Sequence, residues 1–150
     1  MTENREALLQ HYREMRADLH AAIDGVSDEL LSERTLDGWS VNDHLAHLAV
    51  WDDVRASEVR RISAGYESAW RMNDEQDDLY NEITHDLRRE LSAAQVRWEL
   101  DASHQMLLDA IGAASERGLD GSLYGEAGLN SSHEAQHTKW IRRWRGEQGV

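Results

Sequence analysis

Apolar residues recur at steps of three and four in four separate stretches of this chain, and no proline interrupts any of them. A period near 3.6 residues puts such side chains on one face of an α-helix. Proline is the residue that would break those helices, because it lacks the N–H and its ring clashes with the preceding turn. In the first stretch Leu8, Tyr12, Met15, Leu19, Ala22 and Val26 share a face, with Thr2 as expected N-cap and Gly25 as stop. In the second, Ser40 and Asp43 have capping-box spacing, then Val41, Leu45, Leu48, Trp51, Val59 and Ile62 keep the period up to Gly65. In the third, Ser92 and Gln95 repeat that spacing ahead of Val96, Leu100, Ser103, Leu107, Ala110 and Ala114, and Gly118 ends the run. The fourth carries Leu129, His133, His137, Trp140, Ile141 and Trp144 on one side, begins near residues 130–132 and is closed by Gly146.

These stretches predict helices near residues 3–24, 41–64, 92–116 and 131–145. Asn73 is placed to cap a further helical piece over about 74–89, and Ser27 a short turn through Leu31. Asp74, Glu75, Asp77 and Asp78 read as the solvated start of that piece, since the spacing and glycine of an EF-hand loop are missing. A long loop marked by Gly118, Gly121, Gly125 and Gly128 precedes the last helix. The expected fold is all-α: a four-helix bundle with an additional short helical segment, in a single domain over residues 1–150.

Composition narrows the chemistry. The formal net charge is −13, so a nucleic-acid backbone, which needs Lys and Arg to displace its counterions, is not an expected partner. Lys139, Arg142, Arg143 and Arg145 read as cations near a helix C-terminus. With no cysteine, disulfides, thiolate nucleophiles, Fe–S clusters and Cys-type zinc sites are excluded. No apolar run has the length of a membrane span and the polar N-terminus does not read as a signal peptide, so a cytoplasmic location is expected. Six tryptophans and no phenylalanine carry the aromatic bulk, and some indole N–H groups are expected to find a polar partner.

The chemistry concentrates on histidine. His133 and His137 are four apart, which stacks their imidazoles on one helix face. A third ligand must come from another helix, and periodicity allows either His44 or His47 on the second. Buried imidazoles are costly without partners, and one divalent ion would satisfy all of them. Imidazole-only ligation suits Zn, Ni, Cu or Fe, and three neutral ligands leave an open coordination position. Glu134, Asp52 and Asp43 are the candidate proton-transfer or ligand-supporting groups, against capping and solvation as their ordinary roles. Trp51 and Tyr124 are candidate pocket walls. His11, His20, His85 and His104 match no motif and read as surface or capping residues. The run His133-Glu134-Ala135-Gln136-His137 is a literal H-E-x-x-H, which makes metal-assisted peptide hydrolysis a formal competitor.

The stretch Trp39-Ser40-Val41-Asn42-Asp43-His44-Leu45-Ala46-His47-Leu48-Ala49 resembles the second-helix motif of the DinB-like superfamily, and His133 to His137 resembles its terminal-helix motif. Trp140, Ile141 and Trp144 are similar to its closing pattern. Trp51-Asp52 and the helix start at Ser92 are similar to the ClbS/DfsB type, although the Gly-bearing loop before His133 departs from it. The resemblance covers nearly the whole chain. It implies an up-down-down-up bundle with a metal-binding histidine triad of His47, His133 and His137, favouring His47 over His44. It further implies a metal-dependent small-molecule enzyme, a hydrolase or a thiol S-transferase acting on an electrophilic metabolite or toxin, and a homodimer joined through Trp-rich helix faces. The alternative is non-catalytic small-molecule binding or sequestration.

Overall fold

A computed structural model describes residues 2–34 and 37–150; Met1, Thr35 and Leu36 lie outside the described residues. Among the described residues there are six α-helices: α1 (Arg5–Ile23), α2 (Asp28–Leu31), α3 (Val41–Ser63), α4 (Asp74–Arg88), α5 (Ala93–Gly112) and α6 (His133–Gln148). Two single 3-10 turns, Arg117–Leu119 and Gly121–Leu123, shape the loop between α5 and α6. Among the described residues there is no strand, only isolated bridges pairing Thr2 with Asp120 and Arg34 with Ser40. No described helix is long and apolar enough to cross a membrane.

The caps act where their chemistry suggests. Ser40 Oγ accepts from the Asp43 N–H at 3.0 Å and Asp43 Oδ2 accepts from the Ser40 N–H at 2.9 Å, which closes the capping box at the start of α3. Ser27, Asn73 and Ser92 cap α2, α4 and α5. At α1 the cap is Asn4, whose side chain accepts from the Ala7 N–H. Thr2, the expected cap, pairs instead with the α5–α6 loop at Asp120. α6 starts at His133 and runs on through Gly146 to Gly149, which takes a left-handed φ of 72°.

Interhelical contacts set the topology. Arg5 reaches the Ile111 carbonyl and Arg16 the Leu100 carbonyl, so α1 and α5 are antiparallel. Asn42 meets Leu91 and Ser63 meets Ser115, so α3 and α5 are parallel. Arg16 meets Glu134 and Arg145 meets Ala22, so α1 and α6 are parallel. The four long helices therefore run up, down, down and up, and α4 lies against α3 on the connection that the parallel α3–α5 pair requires.

Every residue from Ser40 to Asp52 is buried, so the first half of α3 is covered on all sides. Two large apolar clusters divide the interior. One joins Leu19, Ile23, Leu45, Leu48, Val96, Leu100, Ile141 and Trp144; the other joins Leu8, Tyr12, Val59, Leu107, Ile111 and Leu129. A polar layer lies along the bundle between those ends. Arg16 of α1 donates to Asp52 of α3 at 2.7 Å, to the Leu100 carbonyl of α5 at 2.8 Å, and to Glu134 of α6 at 2.8 and 3.2 Å. One buried guanidinium thus ties all four long helices. Among the tryptophans, Trp51 donates to Asn81 at 2.9 Å, whereas Trp144 Nε1 is buried with no hydrogen-bond partner.

Candidate metal centre

The capping box sets the register of α3, and that register turns both His44 and His47 inward. The start of α6 is set differently, because Ser132 makes no side-chain cap. The lead-in is pinned from outside the helix. The Tyr12 hydroxyl donates to the Leu129 carbonyl, His11 Nε2 lies 2.7 Å from the Ser131 carbonyl, and Arg55 donates to the Ala127 carbonyl and to Ser131 Oγ, both at 3.0 Å. Ser131 Oγ in turn accepts from the His133 N–H at 3.2 Å. His11, expected at the surface or in a cap, is one of the residues that place His133.

With both helix starts fixed, α3 and α6 pass each other antiparallel, His47 opposite His133 and His44 opposite His137. His133 Nε2 stands 3.2 Å from His47 Nε2 and 3.0 Å from His137 Nε2. One ring nitrogen from each of His47, His133 and His137 lies within 4.8 Å of the other two, a grouping that could hold a metal ion. His44 meets His137 on its far side, Nδ1 to Nδ1 at 3.0 Å, and its own Nε2 lies 3.5 Å from Asp37 Oδ2.

Burial controls the charge of these rings. It pushes the His47 imidazole down to about 3, with the neighbouring His133 and His44 and the Arg55 guanidinium adding to the effect. Burial, then Arg55, takes His133 to about 4. Burial, then the surrounding histidines, takes His137 to about 2. His44 is also lowered by burial, against the pull of Asp37. All four present neutral rings at pH 7, the form in which imidazole ligates a metal.

The donor set fits a divalent ion. A neutral ring nitrogen holds one proton or one lone pair, so His133 Nε2 cannot satisfy both nitrogens that face it. An ion placed among three lone pairs satisfies all of them. Tetrahedral Zn–N bonds of about 2.0–2.1 Å imply ligand nitrogens about 3.3 Å apart, close to the 3.2 and 3.0 Å that separate His133 Nε2 from His47 and from His137.

Two open clefts reach this cluster. One, of about 390 Å³, is lined by Trp39, His44, His47, His137 and Trp140, with Asp37, Asp78, Asn81, Glu82 and His85 around them. The other, of about 360 Å³, approaches from the His133 side past Trp51, Arg55 and Asn81. Trp51 is therefore a wall residue. Tyr124 is not: its hydroxyl donates to the Gly118 carbonyl at 2.6 Å and its ring packs on the cluster around Leu8.

The candidate carboxylates line neither cleft. Asp52 and Glu134 face Arg16, 4 % and 8 % exposed. Burial raises the Asp52 carboxyl to about 6 against the pull of Arg16. Burial also works against the Arg16 charge, but Glu134 and Asp52 outweigh it and hold its pKa above the ordinary arginine value. Asp43 is occupied by its capping box, and its Oδ2 also lies 3.2 Å from His85 Nε2, within ion-pairing distance but off the line of a hydrogen bond. His85 is the residue that sequence reasoning missed. It stacks on Trp39, with ring centroids 4.5 Å apart and planes at 10°, and forms part of the cleft wall. No motif flags it, because it stands on α4 and reaches the site only through the tertiary fold.

The profile of the DinB superfamily matches residues 11–141 of the chain. The chain belongs to the DinB superfamily. Three solved structures share this DinB fold at low sequence identity. An uncharacterised protein from Escherichia coli UTI89 is 16 % identical, with a TM-score of 0.80 over 97 % of this chain and 95 % of that one. A protein from Streptococcus pneumoniae is 15 % identical, with a TM-score of 0.77 over 97 % and 92 %. An uncharacterised protein from Clostridium difficile 630 is 14 % identical, with a TM-score of 0.74 over 97 % and 98 %. No curated protein matches the sequence. At these identities the likeness is one of fold, and the DinB architecture is what places α3 and α6 side by side at the histidines.

Proposed function

We propose that this protein is a metal-dependent enzyme acting on a small molecule, with one divalent ion held by His47, His133 and His137. The observation that carries the reading is the convergence of three neutral, buried imidazole nitrogens at the floor of two clefts. When bound, the ion supplies Lewis acidity and lowers the pKa of a coordinated nucleophile. Everything else falls to the chain's own residues. Trp39 and Trp140 offer flat apolar walls for a substrate. Asn81 uses its carbonyl on Trp51, which leaves its amide N–H groups free to donate in the cleft. His85 completes that wall by stacking on Trp39, with its Nε2 turned away toward the buried Asp43 carboxylate. Glu134 and Asp52 act at one remove, because the Arg16 network fixes α6 beside His133. The reaction class is hydrolysis or transfer to an external thiol, on an electrophilic substrate.

The test begins with elemental analysis of protein purified without an affinity tag. One divalent ion per chain is expected. It should be lost in His47→Ala, His133→Ala and His137→Ala and retained in His104→Ala, which lies outside both clefts. Metal content indifferent to all three triad substitutions would overturn the reading. Incubating loaded protein with electrophiles, with and without a low-molecular-weight thiol, then separates hydrolysis from transfer.

A further inference from the structure

The three triad rings are not supported alike. A metal-ligating imidazole ordinarily donates its second ring N–H to a fixed partner, which sets tautomer and orientation. His47 Nδ1 and His133 Nδ1 are buried with no hydrogen-bond partner. His137 alone has one, and that partner is a fourth histidine, His44, 3.0 Å away through Nδ1 on both rings. His44 is itself buried and directs its other nitrogen toward Asp37.

The geometry points to His44 as the positioning residue for the metal ligand His137, with Asp37 as its anchor. This rests on the reading of His137 as a ligand. The tautomers follow from the contacts. If His137 Nε2 gives its lone pair to the ion, its proton sits on Nδ1 and is donated to His44 Nδ1. His44 Nδ1 must then be the acceptor, so the His44 proton sits on Nε2, the nitrogen that faces the Asp37 carboxylate. The chain Asp37–His44–His137 extends the familiar carboxylate–histidine–metal arrangement by one imidazole. It also separates the two inward histidines of α3: His47 belongs to the converging nitrogens, and His44 stands behind one of them.

Zinc affinity of untagged protein, measured by competition with a chromophoric chelator, tests the assignment together with imidazole ¹⁵N NMR. His44→Ala should weaken affinity about 10–100-fold. His44→Asn should recover most of that loss, because the amide Oδ1 can occupy the acceptor position of Nδ1. Asp37→Asn should cost less than His44→Ala and nothing further in the His44→Ala background, since it acts only through that ring. In the wild type, a ¹⁵N–¹⁵N coupling across the hydrogen bond should connect His44 Nδ1 and His137 Nδ1, a signal that a merely space-filling His44 would not produce. An unchanged affinity in a folded His44→Ala variant overturns the proposal while leaving the triad intact. Complete loss of metal in both His44→Ala and His44→Asn also overturns it, since His44 would then be a ligand. Failure of the wild type to bind any divalent ion overturns the metal reading itself.

Discussion

Replacing Arg16 with alanine removes the cation on which two buried carboxylates depend. Asp52 and Glu134, 4 % and 8 % exposed, receive three of the four Arg16 hydrogen bonds, and the fourth goes to the Leu100 carbonyl. Without Arg16 the carboxylates face each other with only the more distant Arg55 charge to relieve them. Losing one partner of a buried ion pair costs about 3–5 kcal/mol, and two carboxylates share this one, so a loss near the upper end of that range is expected at pH 8. Against a typical total of about 5–15 kcal/mol, that is a large part of the stability of the fold. Urea unfolding followed by circular dichroism measures it. The pH dependence is diagnostic. A buried carboxyl whose folded-state pKa lies above its unfolded value gives stability that is present at low pH and lost as pH rises through the folded pKa. Asp52 already behaves this way, and removing Arg16, whose charge pulls it down, should push it further up. The gap between Arg16→Ala and wild type should therefore narrow between pH 8 and pH 5. Combining Arg16→Met with Asp52→Asn and Glu134→Gln should recover much of the loss at pH 8, because neither side chain facing position 16 then carries a charge. A single variant within about 1 kcal/mol of wild type at pH 8 would refute the reasoning, since that is the size of an exposed pair. So would a gap that does not change with pH.

Metal-free protein should lose stability as pH falls below about 6.5. The native rings of His47, His133, His137 and His104 stay neutral to about 3, 4, 2 and 4, while the unfolded chain protonates near the ordinary histidine value. Four protons taken up on unfolding, against one released from Asp52, give a slope of about 4 kcal/mol per pH unit near pH 5; a flat urea midpoint between pH 6.5 and 5 would contradict the burial argument. Gly125→Ala should cost about 1–3 kcal/mol, because an added Cβ would lie 1.9 Å from the Trp70 backbone oxygen, whereas Gly112→Ala, with open space around it, should cost nothing. Thermal unfolding of the two variants side by side checks this, and equal midpoints would show that the α5–α6 loop is not held against the segment around Trp70.

What the sequence determined by itself is what depends on near neighbours. Periodicity and the cap residues Ser27, Ser40, Asn73 and Ser92 specify helices because both act within a turn or two of chain. The stacking of His133 and His137 was legible for the same reason, since four residues along a helix is a fixed local distance. The ends of α1 and α6 were less legible. Thr2 is drawn away by the α5–α6 loop, and α6 begins at a position set by Tyr12, His11 and Arg55, all far off in the chain. Periodicity could not separate His44 from His47, three residues apart on one inward face; the family resemblance favoured His47, and the tertiary structure gives the physical difference, His47 meeting His133 and His44 meeting the far side of His137. It also decided the roles of the acidic residues. Asp52 and Glu134 read as candidate proton-transfer groups until Arg16, 36 and 118 residues away, brings both into one buried layer. His85, with no motif to mark it, joins the site because α4 folds back on α3 and lays its ring on Trp39. Local hydrogen bonding writes a helix into the sequence, but the partner of a buried charge or ring is chosen by packing between helices, and nothing in the spacing of residues along one helix records it.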